Sequence, residues 1–206
     1  MAGGRSVADI PVTFLALRND LWHNPHMFRD IRSPGGLLLS TLVMVQLAAA
    51  SDLPQLSFNQ MTDSSELVVS GTVTRTWADW DPDHKYIWTH YELAVSATHK
   101  GAAGQTVDIA EPGGQVNGMG MSISGAAAYA VGENVLVFLS RMPNGYLRTA
   151  GLGQGKYLLD SSSKVHGQTL FKSDAAGAIR SLDGMSVNQV RQLVGARVRT
   201  AAGRAQ

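Results

Sequence analysis

The chain contains no cysteine. Disulfide bridges, thiol nucleophiles, cysteine-ligated zinc and a lipidated cysteine anchor are therefore excluded, and stability has to come from a hydrophobic core. Charge is also scarce, at 16% of 206 residues, with 17 Lys and Arg against 16 Asp and Glu. No basic excess is available to neutralise phosphates, so nucleic acid is not an expected partner. Long apolar runs are missing too. The stretch 37–47 is interrupted by Ser40, Thr41 and Gln46 and ends in three alanines, whereas a membrane-spanning helix needs about 20 apolar residues.

That stretch has a different meaning in context. Arg29 and Arg32 precede it, and Ala48, Ala49 and Ala50 close it. A basic start, a short apolar middle and a small-residue end make a secretory signal peptide. The reading places the signal at residues 27–50, with Met27 as the start and residues 1–26 as a misassigned start or disordered. Removing residues 1–50 takes away four arginines and three aspartates, leaving equal numbers of each sign. The expected product is secreted or periplasmic, with no stable membrane span after cleavage. It comprises one β-rich domain, residues 51–197, and a disordered tail, residues 198–206.

Within that domain the apolar period is mostly two. ELVVSGTVTRTW sets Leu67, Val69, Gly71 and Val73 against Val68, Ser70, Thr72 and Thr74, the pattern of a half-buried strand. Gly71 on the inward face predicts a bulge or a close backbone crossing. KYIWTHYELAVSATHKG predicts a longer strand with Ile87, Thr89, Tyr91, Leu93 and Val95 on one face and Tyr86, Trp88, His90, Glu92 and Ser96 on the other. TVDIAE, GMGMSISG, YLRTA, KYLLD and QTLFK predict further short strands. NVLVFLS is apolar on both faces and is expected to be central or covered by a helix. Ser57 with Gln60, and Ser186 with Gln189, have the spacing of helix capping boxes. The second helix carries an apolar stripe of Val187, Val190, Leu193 and Val194. The expected fold is mainly β: a small antiparallel barrel or sandwich, OB-like in one version, with a short N-terminal helix and a C-terminal helix.

GLGQGKYLLD, residues 151–160, resembles a phosphate-binding loop. The motif requires a Ser or Thr after the lysine and a helix beyond it. Here Tyr157 follows Lys156, and YLLD reads as a strand. The expectation is a glycine turn entering a strand, with no nucleotide.

Two groups of residues are candidates for chemistry. Asp79, Asp81 and Asp83 crowd an apparent loop, and oxygen clusters suit Ca²⁺, so they are candidate ligands for a weak calcium site. Neither a glycine at the sixth position nor a glutamate at the twelfth completes an EF-hand. Trp80, Tyr86, Trp88 and His90 are candidates for a binding surface, because aromatics beside acids mark such surfaces. Trp77 belongs to the same aromatic-rich stretch. No nucleophile-elbow or HExxH spacing occurs, so no catalytic residue is assigned.

The segments VVSGTV, HKG at 99–101, PGG at 112–114, VGENVLVFL and GQGKY resemble those of a group of uncharacterised secreted bacterial β-rich proteins. The resemblance covers residues 66–159. The opening strand is also distantly similar to the OB-like barrels of netrin and metalloproteinase-inhibitor modules. Those inhibitors chelate zinc through an N-terminal cysteine, which this chain lacks, so that mechanism is not carried over. The expected function is an exported, non-enzymatic domain binding an extracytoplasmic protein, glycan or envelope component, without a cofactor. The alternatives are a metal-dependent hydrolase using residues 79–90 and a secreted protease inhibitor presenting RMPNG.

Overall fold

Two long alternating runs form the two longest strands. β1 (Leu67–Trp80) and β2 (Ile87–Lys100) pair antiparallel over most of their length. β3 (Thr106–Pro112) continues the sheet beside β2. A small hairpin follows, β4 (Gly114–Val116) with β5 (Met119–Met121). Then come β6 (Asn134–Arg141), β7 (Leu147–Thr149), a 3₁₀ turn η1 (Leu152–Gly155), β8 (Lys156–Leu159) and β9 (Val165–His166). Helix α1 (Phe58–Ser64) precedes the sheet and α2 (Val187–Arg204) follows it. The structure, a computed structural model, describes residues 54–167, 169–174 and 178–204. The expected leader and signal, residues 1–50, lie outside them. No helix among the described residues is long and apolar enough to cross a membrane.

The seven-stranded sheet runs β1-β2-β3-β7-β6-β8-β9, and β1 also pairs with β6. Strands β1, β2, β3, β7 and β6 thus form a nearly closed ring. The β3–β7 seam is parallel and paired only at Ile109 and Leu147. This is the expected mainly β architecture with a helix at each end.

Each strand sends alternate side chains to opposite faces, so the ring has two cores. Val69, Val73, Leu93, Ile109, Val135 and Val137 fill the interior. Val68, Leu136, Phe138 and Tyr157 face outward and are covered by Phe58 and Met61 of α1 and by Val190 and Val194 of α2. β6 is apolar on both faces because it belongs to both cores. The C-terminal helix therefore packs across the sheet.

Both helices start as their sequences predict. Ser57 and Gln60 form the full capping box of α1. Gln189 N donates to Ser186 Oγ while Gln189 Oε1 accepts from Ser186 N. At the other end of α1, Lys100 Nζ donates to the carbonyls of Thr62 (2.6 Å) and Ser65 (2.7 Å). This satisfies carbonyls that a helix terminus leaves open. Arg197 pairs with Asp63 and ties α2 to α1.

Two local expectations need correction. QTLFK is not a strand: residues 169–174 are irregular, and Phe171 is anchored instead by its buried ring and by N–H donation to Arg180 O (2.8 Å). Residues 198–204, expected as part of a disordered tail, continue α2. Ala201, Ala202 and the arginines favour helix, and Thr200 Oγ1 bonds back to Ala196 O. Gly195 accordingly lies inside the helix. The phosphate-loop resemblance resolves as a turn: Gly151 is left-handed (φ 62°), η1 follows, and Lys156 begins a strand.

Candidate functional site

The outer face of β1, β2 and β3 carries a continuous row of aromatic and charged side chains. Its position depends on an irregularity in β1. By strict alternation Trp77 would share the inward face of Val73. The β1–β2 register shifts between Val73 and Arg75, which resets the alternation. Arg75 and Trp77 therefore face outward, opposite Glu92 and His90.

Trp77 stacks on His90 with ring centres 5.0 Å apart and planes 8° from parallel. The Arg75 guanidinium lies over the Trp77 ring, 4.3 Å from its centre, and its Nη2 reaches Glu92 at 3.2 Å. Tyr146, from the β6–β7 turn, meets His90 edge-on at 5.4 Å and Trp88 at 5.1 Å. His90 Nδ1 lies 3.0 Å from a carboxylate oxygen of Asp108 on β3. The imidazole is thus held by rings and by an acid, and it is nearly buried. The Trp88 indole nitrogen is buried without a hydrogen-bond partner. Below the row, Asp108, Tyr146, Arg141 and Thr106 border a cleft of about 360 Å³.

The structure brings together only part of the set expected from sequence. Trp88 and His90 are in the row. Tyr86 is exposed just before β2. Trp80 pairs with Ile87, on the opposite face from Trp88, and its ring lies 6.2 Å from His84. Asp79 and Asp81 serve the β1–β2 loop itself. Asp79 Oδ1 accepts from Trp80 N, and Asp81 Oδ1 accepts from Lys85 N and Tyr86 N. Asp83 is exposed. Among the described residues no three His, Asp or Glu side chains gather closely enough to hold a metal ion. Asp108 and Tyr146 were not candidates from sequence. Asp108 is diagonal to His90 across the β2–β3 register, and Tyr146 arrives from a distant turn, so pairing had to be known first.

A second polar group lies inside the ring. Glu111 continues the inward series of Val107 and Ile109 and is 2% exposed. It accepts a hydrogen bond from Thr149 N (2.7 Å). Burial pushes its carboxyl up to about 7, against the opposing bonds from Thr149 and the charge of Arg148. A raised pKa means that the folded chain holds a proton the unfolded chain releases. The contribution is fully present below the ordinary glutamate value and is lost as pH rises through about 7. Denaturation at pH 5 and pH 8 is expected to show a loss of up to about 3 kcal/mol from this group, and Glu111→Gln should flatten that limb. An unchanged pH profile in Glu111→Gln would refute the assignment.

No protein-family model matches the chain, and no curated protein sequence matches it.

Proposed function

We propose that the chain is an exported, non-enzymatic OB-like barrel domain that binds a glycan of the extracytoplasmic space through the outer face of β1, β2 and β3. The observation that carries this reading is the near-parallel Trp77–His90 stack flanked by Tyr146, Trp88 and the Asp108 carboxylate. Flat aromatic surface with a fixed acceptor beside it suits the apolar face and hydroxyl edge of a sugar ring. OB-type barrels bind oligosaccharides on the face of their second and third strands and on the loops joining strands one to two and four to five. The row occupies the corresponding place in the five-strand ring, with residues 81–86 and the Tyr146 turn at its borders. Its mixed charge, Arg75 and Glu92 against Asp108, offers no steady positive field for a nucleic acid backbone.

His90 is committed to Asp108 and packed by Trp77 and Tyr146, which favours a rigid platform over a hydrolytic ligand set. Glycan-array screening of the purified chain tests the reading. Saturable binding to a carbohydrate is expected. Trp77→Ala and Tyr146→Ala should each weaken it at least tenfold, about the value of one aromatic contact. Both residues are half-buried, so thermal midpoints should change little. Stoichiometric zinc together with ester or peptide hydrolysis, or inhibition of a secreted protease without glycan binding, would replace this proposal by one of the alternatives.

A further inference from the structure

On another part of the surface, a pocket of about 430 Å³ opens between the segment entering α1, the β6–β7 turn and the turn after β7. Its walls are mostly apolar, formed by Pro54, Leu56, Met142, Ala150 and Leu152. The cation that lines it is Arg148, whose side chain is 18% exposed. Its charged neighbour is Glu111, 3.6 Å from Nε, and Nε is itself buried without a partner.

A guanidinium carries five N–H donors in a planar fork that matches a carboxylate. Holding its Nε out of water without a hydrogen-bond partner is costly. Glu111 answers this poorly, since one oxygen already accepts from Thr149 N and the other has no hydrogen bond. Burial also favours its neutral form. Arg148 thus lines a pocket whose other walls are mostly apolar. An occupant complementary to both features has a single anionic head and an apolar body.

We propose that this pocket binds a small amphiphilic carboxylate, with an unbranched apolar chain against Leu56, Met142 and Leu152 and its carboxylate on the Arg148 guanidinium. The volume falls within the range of small-molecule sites, toward its lower end. The charge-assisted, two-point contact fixes orientation, and the walls contribute through burial of methylenes.

Calorimetric titration of the purified chain with decanoate, below its micellar concentration, tests the proposal, with 1-decanol as the uncharged comparison. Saturable one-to-one binding of decanoate is expected, at least tenfold tighter than that of 1-decanol. Arg148→Gln should weaken decanoate at least tenfold. Met142→Glu, at a half-buried turn position whose two turn hydrogen bonds are made by the backbone, should do the same by placing a like charge at the pocket. Absence of saturable decanoate binding, equal affinity for 1-decanol, or undiminished binding by Met142→Glu would overturn it. The aromatic face is separate, so such a failure would leave the glycan proposal standing.

Discussion

Phe138→Ala is expected to destabilise the protein by about 3–5 kcal/mol. Phe138 is fully buried and lies on the outward face of β6, in edge contact with Phe58 at 6.4 Å and Tyr157 at 6.1 Å. It therefore joins the barrel wall to α1 and to β8 at once. Alanine would remove the ring and leave a cavity that two strands and a helix cannot jointly collapse, which is why the transfer and cavity contributions add. For a chain of this size the loss corresponds to a fall in thermal midpoint of about 10 °C. A calorimetric shift of only a few degrees would show that the outer core does not hold the helices to the sheet.

Gly71→Ala is expected to be nearly as severe although it adds a single methyl group. A Cβ at this position would sit 2.2 Å from the Ala94 carbonyl oxygen and 3.1 Å from Leu93 Cγ. The first neighbour is backbone of the paired strand, so relief requires β1 and β2 to separate at the bulge beside Ser70 and Gly71. Overpacking of this kind costs about 3 kcal/mol. Gly104→Ala is the control, because its nearest neighbour would be 3.7 Å away. That change should stay within about 0.5 kcal/mol in chemical denaturation. Equal stability of the two variants would mean that the strands do not cross as closely as described.

Gly71 also shows how far a strand pattern can be read. A glycine on the inward face of an otherwise β-branched run already implied a bulge or a close crossing, since either one leaves no room for a side chain. Both are present. The helix starts were equally legible, because a capping box is completed within four residues of chain. The two-faced burial of β6 followed from its composition, as no polar side chain interrupts its central residues. Two of the short glycine-bearing segments have structural reasons. Lys100 of HKG closes α1, and Gly101 is left-handed (φ 76°) with no space for a Cβ beside Glu66 O. Gly155 of GQGKY packs against the Phe138 backbone.

The candidate site was legible only in part. Trp88 and His90 share a strand face by simple alternation. Trp77 does not join them by that rule, and only the register shift between Val73 and Arg75 turns it outward. Trp80 was placed with Trp88 by composition and lies across the sheet from it. QTLFK has strand-like residues, yet its described residues are irregular, with Phe171 buried in the outer core and Lys172 N donating to Leu56 O.

Local order is written in the chain itself: period-two runs, capping pairs and turn glycines act over a few residues, through sterics and short hydrogen bonds that neighbours in sequence decide. Which strands meet, where β1 slips against β2, and how Tyr146 reaches His90 or Arg148 comes to face an apolar pocket are settled by tertiary structure alone. Those contacts join residues tens of positions apart, and only closure of the five-strand ring around its buried side chains selects one arrangement among the many that the same local pattern allows.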